Sequence, residues 1–285
     1  MKRLIAATCL GLSLSSAAYA AKGPVIVVMS GFSTCSRDAD GSFSPWSNSI
    51  TNRRGVALIN KVSAEAKSSD EQPRWLASCY DPFGVIHYQT SYGSTIQWAS
   101  GGDSQPFREF LQDASDDFAR QVIIIGHSHG GWMASRVIAE MGLIMSNTML
   151  ITIDPISYMD CGVGNYARAI AAAASWNPWA LTELEPCQRA PADIDLHTRR
   201  NINQNIGRDN WFHYYQENFW PLHSGAFPAG SSTPGHSSNL GPFYSVMEGG
   251  VSASWNAHWA IQNYNGIWHM LETRLTMQRD DETSF

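Results

Sequence analysis

The sequence is poor in charge, and poorest in positive charge. Asp, Glu, Lys and Arg make up 15% of the 285 residues, with 19 basic side chains against 25 acidic ones. That balance argues against a nucleic-acid partner, whose phosphates call for a basic surface. Cysteine is also scarce: the five present include no close Cys-x-x-Cys pair, so a structural zinc site is not expected. Asp38-Ala39-Asp40-Gly41 matches only the opening of a calcium loop, and the rest of that pattern is missing. The reading is therefore of a chain with no metal and no cofactor. Beyond the N-terminus no apolar run is long enough to span a bilayer, and no internal repeat interrupts the chain. What is abundant is apolar surface. Hydrophobic residues make up 44% of the chain, enough for the large core of a single α/β domain.

Residues 1–20 fit a secretory signal. Lys2 and Arg3 precede an apolar stretch from Leu4 to about Leu14, and Ala18-Tyr19-Ala20 offers small residues for cleavage. Ser13, Ser15 and Ser16 break the stretch before it reaches the roughly 20 residues of an anchor. The expected domain is therefore 21–285, secreted or periplasmic. Lys2 and Arg3 leave with the signal, so 17 basic residues face 25 acidic ones, a net charge of −8. Cys9 leaves too, and the even set Cys35, Cys79, Cys161 and Cys187 suggests two disulfides in an oxidising compartment, with free buried thiols as the alternative.

From Pro24 short apolar runs alternate with longer helical patterns, which is how a mostly parallel sheet with helices on both faces reads. Strands are expected at Val25 to Met29, Gly84 to Tyr88, Val122 to Ile125, Met149 to Ile153, Phe212 to Tyr215 and Val251 to Trp255. A polar loop to about Ser44 follows the first of them. Helices are expected from Ser47 to Ala66, Phe107 to Phe118, Trp132 to Ala139, Tyr166 to Trp176 and Gly266 to about Met277. The pattern weakens over 159–208, which reads as an insertion or cap.

Val122 to Ile125 runs into Gly126-His127-Ser128-His129-Gly130-Gly131, and a helical pattern follows. Strand, Gly-x-Ser-x-Gly turn and helix in that order put a serine on a tight turn, with Oγ lifted out of the sheet at a helix N-terminus. The segment Ile125 to Gly131 resembles the nucleophile elbow of bacterial secreted lipases and esterases of the α/β-hydrolase superfamily. The resemblance implies the α/β-hydrolase fold and Ser128 as nucleophile, with an acid and a histidine following in chain order. It also implies an oxyanion hole of two backbone N–H groups and cleavage of carboxylic esters.

Asp154 follows the strand after the nucleophile's own and precedes Pro155, as the acid of vertebrate pancreatic-type lipases does. One strand later, where the superfamily more often carries its acid, the chain offers Asp209 or Glu217. The family's base lies between the last strand and the last helix, a condition His258 meets; His236 is the alternative, and His269 falls inside the helix. For the oxyanion hole the resemblance points to the N–H of His129 and, through Ser30-Gly31-Phe32-Ser33, that of Phe32, with Ser30 where many lipases have His. The fold would bring together the loops carrying Cys35 and Cys79, and those carrying Cys161 and Cys187.

Trp176, Trp179, Trp211 and Trp220 lie in or beside the region after Asp154, as lining for an acyl pocket or lid, or as core. The expected substrate is a small-molecule or lipid ester. Two alternatives stay open: an amidase, peptidase or thioesterase on the same fold, and a non-enzymatic binding protein that keeps it. Oligomeric state is not legible.

Overall fold

In the computed structural model the described residues are 22–31, 34–37, 39, 43–44, 49–81, 85–91, 95–98, 104–115, 120–141, 147–156, 194–217, 232–240 and 257–283. The strands are β1 (Val25–Met29), β2 (Ser36–Arg37), β3 (Phe43–Ser44), β4 (Arg74–Tyr80), β5 (Ile86–Thr90), β6 (Thr95–Trp98), β7 (Val122–His127), β8 (Thr148–Ile153), β9 (Trp211–Tyr215) and β10 (His236–Asn239). The helices are α1 (Ile50–Glu65), α2 (Gln105–Ser115), α3 (His129–Glu140), α4 (Leu196–Ile206) and α5 (Asn265–Thr283).

Eight strands form one sheet in the order β10-β9-β8-β7-β1-β4-β5-β6, and β2 pairs with β3 in a separate ribbon. From β10 to β4 every pairing is parallel; β5 and β6 are added antiparallel. The β-branched runs explain the centre of the sheet, because a strand covered on both faces needs apolar residues at every position. Alternate residues then point to opposite cores. Val25, Val27, Met29, Val122 and Ile124 pack with Phe107 and Leu111 of α2, Val137 and Ile138 of α3 and Ile202 and Ile206 of α4. Ile26, Val28, Ile123 and Ile125 pack with Leu58, Ile59 and Val62 of α1 and Ile267, Leu271 and Leu275 of α5.

Strands at Val25–Met29, Val122 onward, Met149 onward and Phe212–Tyr215 agree with the sequence reading, as does the final helix with its buried stripe. Four differences have local causes. The strand Arg74–Tyr80 was not foreseen, since Ala77, Ser78 and Cys79 give it little β-branched character, although its last five residues are buried. The strand expected from Gly84 runs instead over Ile86–Thr90, and Thr95–Trp98 pairs with it. The polar loop to Ser44 carries the short β2–β3 ribbon. His236–Asn239, read as loop because it is polar, is an edge strand. The expected strand Val251 to Trp255 and helix Tyr166 to Trp176 lie outside the described residues. So does most of 159–208; its described end, 194–208, carries α4, whose Asn205 Nδ2 donates to the Ile138 carbonyl of α3 at 2.7 Å.

Candidate active site

Four parallel strands end at one edge of the sheet, and the next residues build the site: Ser30 and Gly31 after β1, Ser128 after β7, Asp154 after β8 and Gln216 after β9. Ligands in open α/β sheets collect at this carboxyl edge. Ser128 takes φ 55° and ψ −130°, the strained geometry of a sharp strand-to-helix turn. Hydrogen bonds hold it there. Its N–H donates to the Ile153 carbonyl at 3.0 Å, and its own carbonyl accepts from Gly131, Trp132 and Ile156 N–H at 3.0, 3.1 and 3.2 Å. Close approach explains the glycines. A Cβ on Gly126 would lie 2.6 Å from Gly131 Cα, and one on Gly31 would lie 2.5 Å from Ser128 Cβ.

His258 lies in a short helical segment, 257–260. Its Nε2 is 3.0 Å from Ser128 Oγ and its Nδ1 is 2.6 Å from Asp154 Oδ2. A carboxylate only accepts, so Nδ1 carries the proton and Nε2 presents a lone pair to the serine hydroxyl. Asp154 also has positive φ, 43°, and its N–H donates to the Tyr214 carbonyl at 2.7 Å. A second donor, Gln216 Nε2, reaches Asp154 Oδ2 at 2.9 Å. All three side chains of the relay are buried, Ser128 being 7% exposed and His258 3%.

The segment carrying His258 is held from two sides. His127 Nε2 lies 2.9 Å from the His258 carbonyl, with ring centroids 4.8 Å apart. Gln262 Oε1 accepts from Thr51 N–H at 3.0 Å and Thr51 Oγ1 at 2.7 Å in the first turn of α1, while its Nε2 donates to the Trp259 carbonyl at 3.1 Å. Burial pushes His127 down to about 3, with the neighbouring His258 adding to the effect. His129, set between Tyr80 and Trp132 at 4.6 and 5.1 Å, is also pushed down to about 3 by burial. Both rings are therefore neutral near pH 7.

The loop after β1 is pinned from below. Ser30 Oγ donates to the Ser78 carbonyl at 3.0 Å, accepts from Asn52 Nδ2 at 3.1 Å and lies 2.7 Å from Thr34 Oγ1. Thr34 and Cys35 N–H both donate to the Tyr80 carbonyl, at 2.9 and 3.2 Å, and a disulfide joins Cys35 to Cys79. Among the described residues no group of three or more His, Cys, Asp or Glu side chains is arranged to hold a metal.

The family model described as the alpha/beta hydrolase family matches residues 63–262, more than half of the chain. The chain belongs to this family. A comparison with curated proteins gives no match.

In this alpha/beta hydrolase Ser128, Asp154 and His258 converge, whereas the alternative acids and bases lie elsewhere. Asp209 lies in the turn Arg208–Asn210 against Gly235, and Glu217 accepts from Asn239 at 3.3 Å. The His236 ring stacks on Phe212 at 4.3 Å, and His269 is exposed on α5. His129 opens α3, where first-turn N–H groups lack intrahelical acceptors. Phe32, Cys161, Cys187, Trp176, Trp179 and Trp220 lie outside the described residues. Trp211 is core, its Nε1 donating to Thr152 Oγ1 at 3.2 Å. Sequence reasoning missed Gln216 and Gln262. Gln216 stands beside Glu217, at the strand end where the superfamily more often carries its acid, but a neutral amide gives no signal.

Proposed function

We propose that this hydrolase is an exported serine esterase or lipase that cleaves carboxylic esters through an acyl-enzyme on Ser128. The observation that carries the reading is the relay from Ser128 Oγ through His258 to Asp154, at 3.0 and 2.6 Å. His258 Nε2 takes the hydroxyl proton as Oγ bonds to the ester carbonyl carbon, and Asp154 stabilises the imidazolium. The charge on the carbonyl oxygen falls to the N–H groups of His129 and Phe32. The tetrahedral adduct then expels the alcohol, which takes the proton from His258. A water molecule repeats the sequence in reverse, releasing the acid and restoring Ser128.

The signal-like residues 1–20 and the Cys35–Cys79 disulfide support export to an oxidising compartment. Among the described residues no helix is long and apolar enough to cross a membrane.

A fluorophosphonate probe is expected to label Ser128 in the folded chain. Ser128→Ala and His258→Ala should each abolish hydrolysis of p-nitrophenyl esters while the circular dichroism stays unchanged. Absence of an adduct would favour a binding protein on this fold. Faster turnover of amide or thioester analogues than of every ester in a chain-length series would replace the esterase reading with an amidase, peptidase or thioesterase.

A further inference from the structure

We propose that His127, the residue before the nucleophile, is a positioning residue for the base: its Nε2–H holds the His258 backbone carbonyl and so sets the distance between His258 Nε2 and Ser128 Oγ. The inference rests on the triad reading above and adds to it a residue with no place in the relay of protons.

His127 is fully buried at the end of β7, and its Nε2 stands 2.9 Å from the His258 carbonyl oxygen across 131 residues of sequence. A carbonyl oxygen only accepts, so Nε2 must be the protonated nitrogen. Nδ1 then carries the lone pair, and it meets no partner among the described residues. A buried ring with one satisfied nitrogen spends that bond on the backbone of the base. The rings of His127 and His258 also lie 4.8 Å apart, and Trp259 packs at 6.1 Å from His127 and 5.7 Å from His258. His127 and Ser128 are adjacent in the chain. A bond from one to the backbone of His258, and from the other to its side chain, therefore fixes the imidazole against the turn that carries the nucleophile. The Gln262 bonds hold the same segment to α1, on a different element, and cannot supply this local reference.

The ring must also stay uncharged, because an imidazolium at this place would oppose the positive charge His258 acquires during proton transfer. Its burial keeps it neutral, with the proton acceptance pushed down to about 3.

The test compares wild type with His127→Phe, which keeps an aromatic ring but loses the donor, and His127→Gln, whose amide can donate to the same carbonyl. The measurements are kcat and KM on p-nitrophenyl butyrate, the rate of fluorophosphonate labelling, and the thermal transition. His127→Phe is expected to lower kcat and labelling rate by about ten- to a hundredfold with little change in KM, since a small misplacement of a reacting group costs this much. His127→Gln should recover most of the loss. A folded His127→Phe that labels and turns over like wild type overturns the inference while leaving the triad reading intact. So does a folded His127→Gln as slow as the phenylalanine variant. A wild-type chain that takes no label overturns both. Should the phenylalanine variant fail to fold, the imidazole nitrogen spectrum of wild type decides: an Nε2–H tautomer for His127 supports the inference, and an Nδ1–H tautomer overturns it.

Discussion

Gln216 illustrates how much a neutral side chain contributes to an ionic relay. Its amide and the His258 imidazole both donate to Oδ2 of a carboxylate that has no access to water. A hydrogen bond to a charged group contributes about 1.5–3 kcal/mol, and removing one partner leaves the carboxylate under-solvated. Gln216→Leu is therefore expected to lower unfolding free energy by that amount in urea titration and to reduce kcat, because Asp154 can then rotate away from His258. Unchanged stability together with unchanged kcat would show that the amide contributes nothing. Legibility at this scale follows the chemistry. As a candidate Ser128 is legible because strand, glycines and helix must all surround it, whereas Asp154 and His258 are legible mainly by their order along the chain, Asp154 also by the Pro155 that follows it. Gln216 and Gln262 are not legible at all, since an uncharged amide carries no pattern until the fold supplies its partner.

At the level of elements, each part of the sheet was as legible as its residues were one-sided. β1, β7 and β8 announce themselves with near-continuous apolar runs, as strands buried on both faces do. β4 hid behind Ala77, Ser78 and Cys79, small residues that suit the crowded floor beneath Ser30 but give no strand signal. α4 hid for another reason: its sequence is mostly polar, and only Ile202 and Ile206 reach the core. Such a helix depends on its ends. Asp195 accepts from Thr198 N–H at 2.7 Å, and Gly207, at φ 81°, closes the other end. Asp195→Ala is expected to cost about 1 kcal/mol in a urea titration. A loss near zero would mean that packing against α3 alone holds α4.

Two features act on the whole molecule. The Cys35–Cys79 bond closes a loop with a sequence separation of 44, which in the chain-entropy account is worth about 4 kcal/mol. Replacing both cysteines with alanine should lower the thermal midpoint and raise the sensitivity of the site, because the same bond tethers the loop after β1; an unchanged midpoint would contradict this. The second feature is acid sensitivity. His127 and His129 are held neutral down to about pH 3, while in the unfolded chain they titrate near 6.5. Protons therefore bind preferentially to the unfolded state as pH falls below about 6.5, and stability declines through that window by up to about 1.4 kcal/mol per pH unit for each ring. Denaturation midpoints at pH 7, 5 and 4 should fall in that order, and His129→Phe should shallow the slope; a slope that the substitution leaves untouched would assign the sensitivity elsewhere. Finally, Ser128 and Asp154 are the only non-glycine residues with positive φ among the described residues. The backbone thus marks both members of the proposed triad that follow neighbouring strands, in its torsions alone. A relative whose side-chain motif had drifted past recognition would still mark the counterparts of Ser128 and Asp154 as two positive-φ kinks at the ends of neighbouring strands.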